Sequence, residues 1–165
     1  MRVIALAASL VLALVTGGEA RAADQAPALT VPTLAGPDFD LATQHDKVVI
    51  VNFWATWCVP CRAEMPALDA FFKKHHSEGL EMLGLSVDSP SALAKVKQTA
   101  GTVSYPIAVA RDAKTNGFAA PNALPMTYII DRKGVIKAVL KPEDDKGLDE
   151  AQLTKMVEPL LKSWP

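Results

Sequence analysis

Residues 47–61 read Lys-Val-Val-Ile-Val-Asn-Phe-Trp-Ala-Thr-Trp-Cys-Val-Pro-Cys, an apolar run that leads directly into two cysteines. The part from Val48 to Trp54 is rich in β-branched residues, as is typical of a strand covered on both faces. Cys58 and Cys61 are the only cysteines in the 165 residues. On one helical turn their Cα atoms would lie roughly 5 Å apart, within the range of about 4.4–6.8 Å that a disulfide requires. The pair therefore predicts thiol–disulfide chemistry at the start of a helix.

The strand-to-helix junction predicts different roles for the two cysteines. Cys58 lies at or just before the first helical turn, where free backbone N–H groups and the helix dipole favour a thiolate. Cys61 lies one turn further inside and is expected to be less accessible. We therefore predict that Cys58 is the attacking nucleophile and that Cys61 resolves the mixed disulfide. Pro60 suits an early helical position, and Trp57 is expected to pack beside the sulfurs and shape a docking surface.

The first 22 residues have the pattern of an export signal. Val3 to Val15 is an apolar stretch of 13 residues interrupted only by Ser9, and it is shorter than the about 20 residues that cross a bilayer. Ala20-Arg21-Ala22 offers a small-x-small cleavage site. We predict cleavage after Ala22, a flexible leader over 23–29 and one domain over 30–165, with an uncleaved membrane anchor as the alternative. Either arrangement places the folded domain in the periplasm.

The net charge of the chain and its predicted export argue against some classes of function. Without residues 1–22 the formal net charge is −2, because that segment holds two of the 17 basic and one of the 18 acidic residues. A nearly neutral domain without a basic stripe argues against nucleic-acid binding. Exported domains do use cysteines as structural staples, but a disulfide that closes so short a loop restrains little of the chain. A reactive pair is therefore favoured over a structural one.

The remaining sequence predicts strands that alternate with helices. A hairpin is expected around Gly36-Pro37-Asp38. A helix over 59–75 would bury Met65, Leu68, Phe71 and Phe72 and expose Glu64, Asp69, Lys73 and Lys74. The other predicted elements are a strand at 80–87, a helix at 91–100, a strand at 107–110, one or two helical turns at 112–118, a hairpin of 126–131 with 135–140, and a helix at 148–161. Together they describe an α/β fold, with a central mixed sheet and helices on both faces.

Two other kinds of cysteine site fit the residues less well. Haem attachment requires a histidine directly after the second cysteine, and Arg62 stands there. A one-cysteine peroxidase of the peroxiredoxin type would have proline seven residues, and threonine or serine three residues, before its cysteine. This chain has Val51 and Ala55 at those positions. Neither alternative is favoured.

The sequence predicts no resident metal site. Zinc-finger spacing would place His75 and His76 three to five residues apart, but they are adjacent and diverge by about 100° on a helix. We interpret them as an exposed helix end, and His45 as a loop residue. A Cu(I) carrier remains an alternative because a dithiol can hold a soft ion. Met65 and Met126 are the only further soft ligands near the pair, and both fit core or strand positions better.

The chain resembles the thioredoxin superfamily, and within it the TlpA/ResA-like exported thiol-disulfide oxidoreductases, which include cytochrome c maturation proteins. The resemblance rests on residues 47–66, where Arg-Ala-Glu-Met-Pro follows the cysteine pair, and on Leu124-Pro-Met-Thr-Tyr-Ile-Ile-Asp-Arg-Lys-Gly134. It extends from Val31 to about Leu161. It implies a thioredoxin-like three-layer sandwich with a short N-terminal β-hairpin, and no cofactor.

The resemblance also implies further site residues. The Leu124–Pro125 peptide bond would be cis and would face the cysteines, so that backbone of Leu124 could pair with an incoming client strand. Glu64, three residues beyond Cys61, corresponds to the family's acidic residue. It would raise a thiol pKa or shuttle a proton, depending on its burial. Asn52 stands where thioredoxin has a buried aspartate, so a proton relay would fall to Glu64 or to water.

These inferences predict a periplasmic thiol-disulfide oxidoreductase of the protein-disulfide reductase type. Its partners would be disulfide-bearing exported proteins, for example in cytochrome c maturation, and the resemblance implies a membrane electron donor of the DsbD/CcdA kind. We expect a monomer. One alternative is a Cu(I)-binding dithiol metallochaperone for oxidase assembly. The other is a non-catalytic binding module on a thioredoxin scaffold, against which the intact cysteine pair argues.

Overall fold

A computed structural model of the protein describes residues 25–142 and 148–163. The predicted export signal and its cleavage site lie outside these residues. Within the described ranges no helix is long and apolar enough to span a membrane. The strands and helices are, in chain order, β1 (Leu29–Val31), β2 (Phe39–Asp40), β3 (Val48–Trp54), α1 (Val59–His75), β4 (Leu80–Ser86), α2 (Leu93–Ala100), β5 (Ile107–Val109), β6 (Thr115–Asn116), β7 (Met126–Ile130), β8 (Ile136–Leu140) and α3 (Glu150–Lys162).

The central sheet has the strand order β5-β4-β3-β7-β8. Strands β3, β4 and β5 run parallel, β7 is antiparallel to β3, and β8 is antiparallel to β7. Strand β3 lies in the middle and is buried along its whole length, which is why its sequence is a continuous apolar run rather than an alternation. The predicted mixed sheet and thioredoxin-like fold class are therefore confirmed.

The two faces of this sheet belong to different cores. Side chains of all three helices, among them Leu68 of α1, Val96 of α2 and Leu153 of α3, join the core on one face. The other face is covered by a three-stranded antiparallel sheet of order β2-β1-β6, whose Leu29 and Phe39 pack there. One detail of the layering thus differs from the expectation of helices on both faces: strands form the second covering layer.

The small sheet contains the predicted N-terminal hairpin and one unpredicted strand. β1 pairs with β2 across the Gly36-Pro37-Asp38 turn. The helical turns expected at 112–118 are wrong, because Thr115–Asn116 forms β6 and pairs with β1. The backbone N–H of Lys114 donates to the carbonyl of Thr30 at 2.8 Å. Strands β1 and β6 lie more than 80 residues apart in sequence. The local sequence pattern around Thr115 therefore cannot indicate this pairing.

Part of the predicted leader is also anchored. The backbone N–H of Ala26 donates to the carbonyl of Gly134 at 2.8 Å, and Gln25 forms an isolated bridge with Val135. Residues 25–29 are therefore attached to the domain, and the expectation of a flexible leader is wrong for them.

The C-terminal hairpin and helix are as predicted. The β7–β8 turn carries Gly134 at φ 77°, a left-handed conformation that glycine adopts without steric cost. Asp149 caps α3, since its side chain accepts the backbone N–H of Gln152. The Gln152 side chain in turn accepts the backbone N–H of Asp149. This reciprocal capping box satisfies two otherwise free donors at the helix start.

Helix α1 has the predicted bounds but buries more polar residues than predicted. Glu64 and Asp69 were expected on its exposed side and are instead buried. His75 was expected at an exposed helix end. It is buried too, stacked on Phe71 with ring centroids 4.4 Å apart, and its Nδ1 lies 2.9 Å from Oε2 of Glu78. His76 is exposed, as predicted.

Candidate active site

The cysteine pair lies at the first turn of α1. Cys58 is the N-cap residue with extended backbone (φ −80°, ψ 103°), and its Sγ accepts the backbone N–H of Cys61 at 3.2 Å. The two residues are joined by a disulfide with their Cα atoms 5.3 Å apart. Cys58 is 4 % exposed and Cys61 is 1 % exposed. The order of accessibility is the predicted one, but the difference is small in this oxidised form.

Two apolar side chains flank the disulfide and face solvent. Trp57 is 69 % exposed and Val59 is 66 % exposed. Both side chains therefore project largely into solvent. Apolar side chains left in water next to a reactive group are typical of a surface that a partner covers. Both neighbours of Cys58 are therefore accessible to a partner protein.

The Leu124–Pro125 segment lies against the same end of α1. Its peptide bond is cis, as the family resemblance implies. Pro125 is buried, and it lines a cavity of about 110 Å³ together with Pro60 and Glu64. The chain fold therefore brings Pro125, 64 residues downstream of the second cysteine, to the helix turn that carries the disulfide.

Glu64 is a buried carboxyl group at the wall of this cavity. It is 5 % exposed. Its Oε1 accepts the backbone N–H of Leu148 at 2.9 Å, whereas its Oε2 is buried without a hydrogen-bond partner among the described residues. Burial raises the pKa of Glu64 above its usual value, and the Leu148 hydrogen bond only partly opposes that effect. A buried carboxyl group with a raised pKa and one oxygen free of hydrogen bonds among the described residues is suited to accept or donate a proton.

Asn52 lies in the central strand and hydrogen-bonds to the strand that follows the cis-proline. It is fully buried in β3, and its Nδ2 donates to Oγ1 of Thr127 in β7 at 2.8 Å. This hydrogen bond joins the two strands just beyond Pro125 and Met126. Asn52 therefore supports the register of the strand that follows the cis-proline.

Asp88 is a site residue that the sequence analysis missed. It is buried behind the loop that carries the cysteines. Its Oδ1 accepts the hydroxyl of Thr56 at 2.7 Å, and its Oδ2 accepts the Thr56 backbone N–H at 2.9 Å and the Ser86 hydroxyl at 2.8 Å. The position of Asp88 in the sequence does indicate this role. Asp88 follows buried strand β4, whose parallel neighbour β3 ends just before Thr56, and the carboxyl ends of parallel strands meet at one edge.

Replacing Asp88 with alanine should lower the free energy of unfolding of the oxidised protein by about 2–4 kcal/mol. The Thr56 amide and the Ser86 hydroxyl would lose their acceptor, and a buried donor left unsatisfied costs about 1–3 kcal/mol. Urea unfolding at pH 7 measures the change. Asp112→Ala is the control, since Asp112 is exposed and forms a surface ion pair with Arg111, worth at most about 1 kcal/mol. Equal destabilisation by both variants would contradict the role given to Asp88.

The described residues contain no group of three histidine, cysteine or carboxylate side chains that could hold a metal ion. Met65 and Met126, the additional soft ligands considered for Cu(I), are both buried in the cores. The Sδ of Met126 accepts the hydroxyl of Tyr128 at 3.4 Å. Both methionines therefore occupy the core or strand positions that their sequence context predicts, and nothing in their geometry favours the copper alternative.

Comparisons with known proteins agree with this geometry. The model of the AhpC/TSA family matches residues 22–139. The thiol-disulfide oxidoreductase ResA of a Bacillus cereus strain is 31 % identical over 134 residues, which cover 80 % of this chain and 76 % of that protein. The thioredoxin-like protein YneN of Bacillus subtilis is 36 % identical over 132 residues, covering 76 % and 77 % of the two chains. The crystal structure of a thiol:disulfide interchange protein of the thioredoxin family from Chlorobium tepidum TLS superposes with a TM-score of 0.68 at 28 % identity, over 84 % of this chain and 96 % of that one.

Proposed function

The chain belongs to the AhpC/TSA family and is a thiol-disulfide oxidoreductase of the ResA type, and from this premise we propose that it is an exported reductase of disulfides in client proteins. The observation that carries the proposal is the Cys58–Cys61 disulfide at the N-terminus of α1, flanked by the exposed side chains of Trp57 and Val59. A disulfide with a purely structural role would not need an apolar surface around it.

The reaction consists of two exchanges. The thiolate of Cys58 attacks one sulfur of the client disulfide, forms a mixed disulfide and releases the other client sulfur as a thiolate. The thiolate of Cys61 then attacks the Sγ of Cys58, closes the Cys58–Cys61 disulfide and releases the second client thiolate. Two electrons pass from the cysteine pair to the client. The disulfide-bonded state is the product, and a membrane electron donor of the DsbD/CcdA kind returns it to the dithiol.

The client binds across the apolar surface of Trp57 and Val59. Its backbone pairs with that of Leu124, in the manner of a strand added to a sheet edge. Leu124 is half-buried and directly precedes Pro125, which lines the cavity at the start of α1. Backbone pairing is insensitive to side chains, and this suits a reductase that acts on unfolded or partly folded polypeptides.

Glu64 accepts the proton of the Cys61 thiol before the second exchange. The two residues are three positions apart on α1, a spacing that places side chains on the same helix face. The raised pKa of Glu64 comes from burial, and it brings the proton affinity of the carboxylate closer to that of a thiol than an exposed carboxylate would be. Proton removal converts Cys61 from an inert thiol to an attacking thiolate.

The pattern of residues 1–22 supports export to the periplasm, with cleavage after Ala22. The resemblance of residues 47–66 and 124–134 to the TlpA/ResA-like proteins supports clients such as the apoproteins of cytochrome c maturation. Cys-x-x-Cys pairs have reduction potentials from about −270 to −120 mV, and their place in this range sets the direction of electron flow. We propose that electrons flow from this protein to the client.

An insulin assay tests the function. The reduced protein with dithiothreitol should accelerate precipitation of the insulin B chain well above dithiothreitol alone, and a Cu(I) titration of the reduced protein should show no binding tighter than that of a small dithiol. Tight stoichiometric Cu(I) binding without insulin reduction would favour the metallochaperone. Neither activity would favour a non-catalytic binding module.

The two thiols should differ in reactivity. In the reduced protein, substoichiometric iodoacetamide at pH 7 should label Cys58 at least about tenfold faster than Cys61, since the helix N-terminus stabilises the Cys58 thiolate and Cys61 lies inside the helix. Peptide mapping by mass spectrometry measures the ratio. Faster labelling of Cys61 would reverse the roles assigned to the two residues.

A further inference from the structure

A second cleft lies on the side of α1 that faces α2. We call it the α1–α2 groove. Its volume is about 680 Å³, several times that of the cavity at Glu64. Thr56 and Arg62 line it, and these residues stand two positions before Cys58 and one position after Cys61. One end of the groove is therefore formed by residues that bracket the reactive pair in sequence.

The charged side chains of the groove are mostly basic. Arg62, Lys73 and Lys95 line it together with a single carboxylate, that of Asp69. Asp69 is already satisfied within the protein. Its Oδ2 accepts the Nζ of Lys73 at 2.6 Å, and its Oδ1 accepts the backbone N–H and the hydroxyl of Ser104 at 2.6 and 2.7 Å.

These internal bonds leave a net positive groove. Asp69 and Lys73 neutralise each other. Burial acts to raise the pKa of Asp69, but the hydrogen bonds from Lys73 and Ser104 outweigh it, so the pKa is lowered and the carboxylate stays ionised. Arg62 and Lys95 are exposed and form no ion pair within residues 25–142 and 148–163. Two free cations thus line a concave surface of a domain whose predicted mature form carries a net negative charge.

We infer that the α1–α2 groove binds an acidic segment of the client polypeptide next to its target disulfide. This inference rests on the proposed function and names the chemistry of the substrate. Aspartate and glutamate side chains that flank the client cysteine would meet Arg62 close to the sulfurs and Lys95 further along the groove. Exposed charges of this kind act mainly on the association rate and on its salt dependence. The groove therefore selects among clients without taking part in the exchange chemistry.

Two disulfide-linked peptides test the inference, identical except that four residues flanking the cysteine are glutamate in one and lysine in the other. At about 20 mM salt the reduced wild-type protein should have a kcat/KM roughly tenfold higher for the acidic peptide, and about 500 mM salt should bring the ratio towards one, because the screening length falls from roughly 20 Å to a few Å. Lys95→Glu should lower the acidic-to-basic ratio by roughly tenfold.

Lys97→Glu is the matched control. It makes the same charge change on an exposed lysine of α2 that does not line the groove, so the ratio should stay within about twofold of wild type. An equal loss of the ratio in both variants, or equal rates of the wild type on the two peptides, would overturn the inference while leaving the reductase function intact. Reduction of neither peptide would contradict the proposed function, and the inference with it.

Discussion

Cys58→Ser is expected to abolish disulfide reduction, with a loss of at least about 1,000-fold in the rate of insulin or peptide reduction. The variant keeps the fold and the exposed surface of Trp57 and Val59 but lacks the nucleophile, because a serine hydroxyl does not attack a disulfide at neutral pH. The expected loss is large because no mixed disulfide can form without the Cys58 thiolate. Stopped-flow reduction of a fluorogenic peptide disulfide measures it.

Cys61→Ala provides the contrast that separates nucleophile from resolving thiol. This variant keeps the attacking sulfur of Cys58 and should form a mixed disulfide with the client in one turnover, then stop. Non-reducing electrophoresis detects the adduct, and the same variant expressed in cells would trap clients for identification. Adducts formed by Cys58→Ser and not by Cys61→Ala would show that the proposed roles are reversed.

Glu64→Gln is expected to slow resolution of the mixed disulfide by about 100-fold at pH 7, at the lower end of the range for a positioned acid–base group. Glutamine retains an oxygen for the N–H of Leu148, so α3 should dock as in the wild type. The first exchange, measured by alkylation of Cys58, should change little. A single-turnover experiment that follows both client thiolates separates the two steps.

The pH profile distinguishes this role from a structural one. The pKa of Glu64 is raised by burial, so the wild-type resolution rate should fall as the pH drops through that pKa and the carboxylate becomes protonated. The ratio of wild-type to Glu64→Gln rates should therefore approach one at low pH. Glu150→Gln, an exposed residue in the first turn of α3, should retain the wild-type profile. A pH-independent ratio would return Glu64 to a structural role.

The raised pKa of Glu64 also makes the stability of the protein depend on pH. Because the folded-state pKa of Glu64 lies above the unfolded value, the native state binds more protons than the unfolded state between the two. The contribution of Glu64 to the free energy of unfolding is therefore most favourable below the pKa of Glu64 in the unfolded state. That contribution is lost as the pH rises through the pKa of Glu64 in the folded state. The Glu64→Gln variant should lack this pH-dependent contribution. Its free energy of unfolding relative to wild type should therefore increase as the pH rises from the unfolded-state pKa of Glu64 to its folded-state pKa.

Helix α1 shows how much of the active site the sequence predicts. The β-branched run before it and the periodic apolar residues within it predict its bounds, Val59–His75, without error. The two cysteines follow from their spacing alone, and Pro125 and Glu64 follow from the family motif. These features depend on residues within a few positions of each other or on a short contiguous block, so they can be recognised along the chain.

The environments of polar residues on α1 could not be predicted in the same way. Glu64 is buried because the chain segment at Leu148 packs on it, and Asp69 is buried because Ser104 donates to it. His75 is buried between Phe71 and its partner Glu78. A helical pattern with charged residues on one side predicts exposure, and only the elements that pack against that side decide otherwise.

Local sequence therefore determined the redox chemistry of this protein, because a Cys-x-x-Cys pair after a buried strand is defined by spacing and by covalent geometry. It also determined most strands and helices, whose periodicity is a property of contiguous residues. Tertiary structure alone decided what surrounds the sulfurs. The anchoring of Thr56 by Asp88, the orphaned oxygen of Glu64 and the cationic groove beside α1 arise from residues tens of positions apart. Their proximity follows from strand order and helix packing, which no single segment encodes.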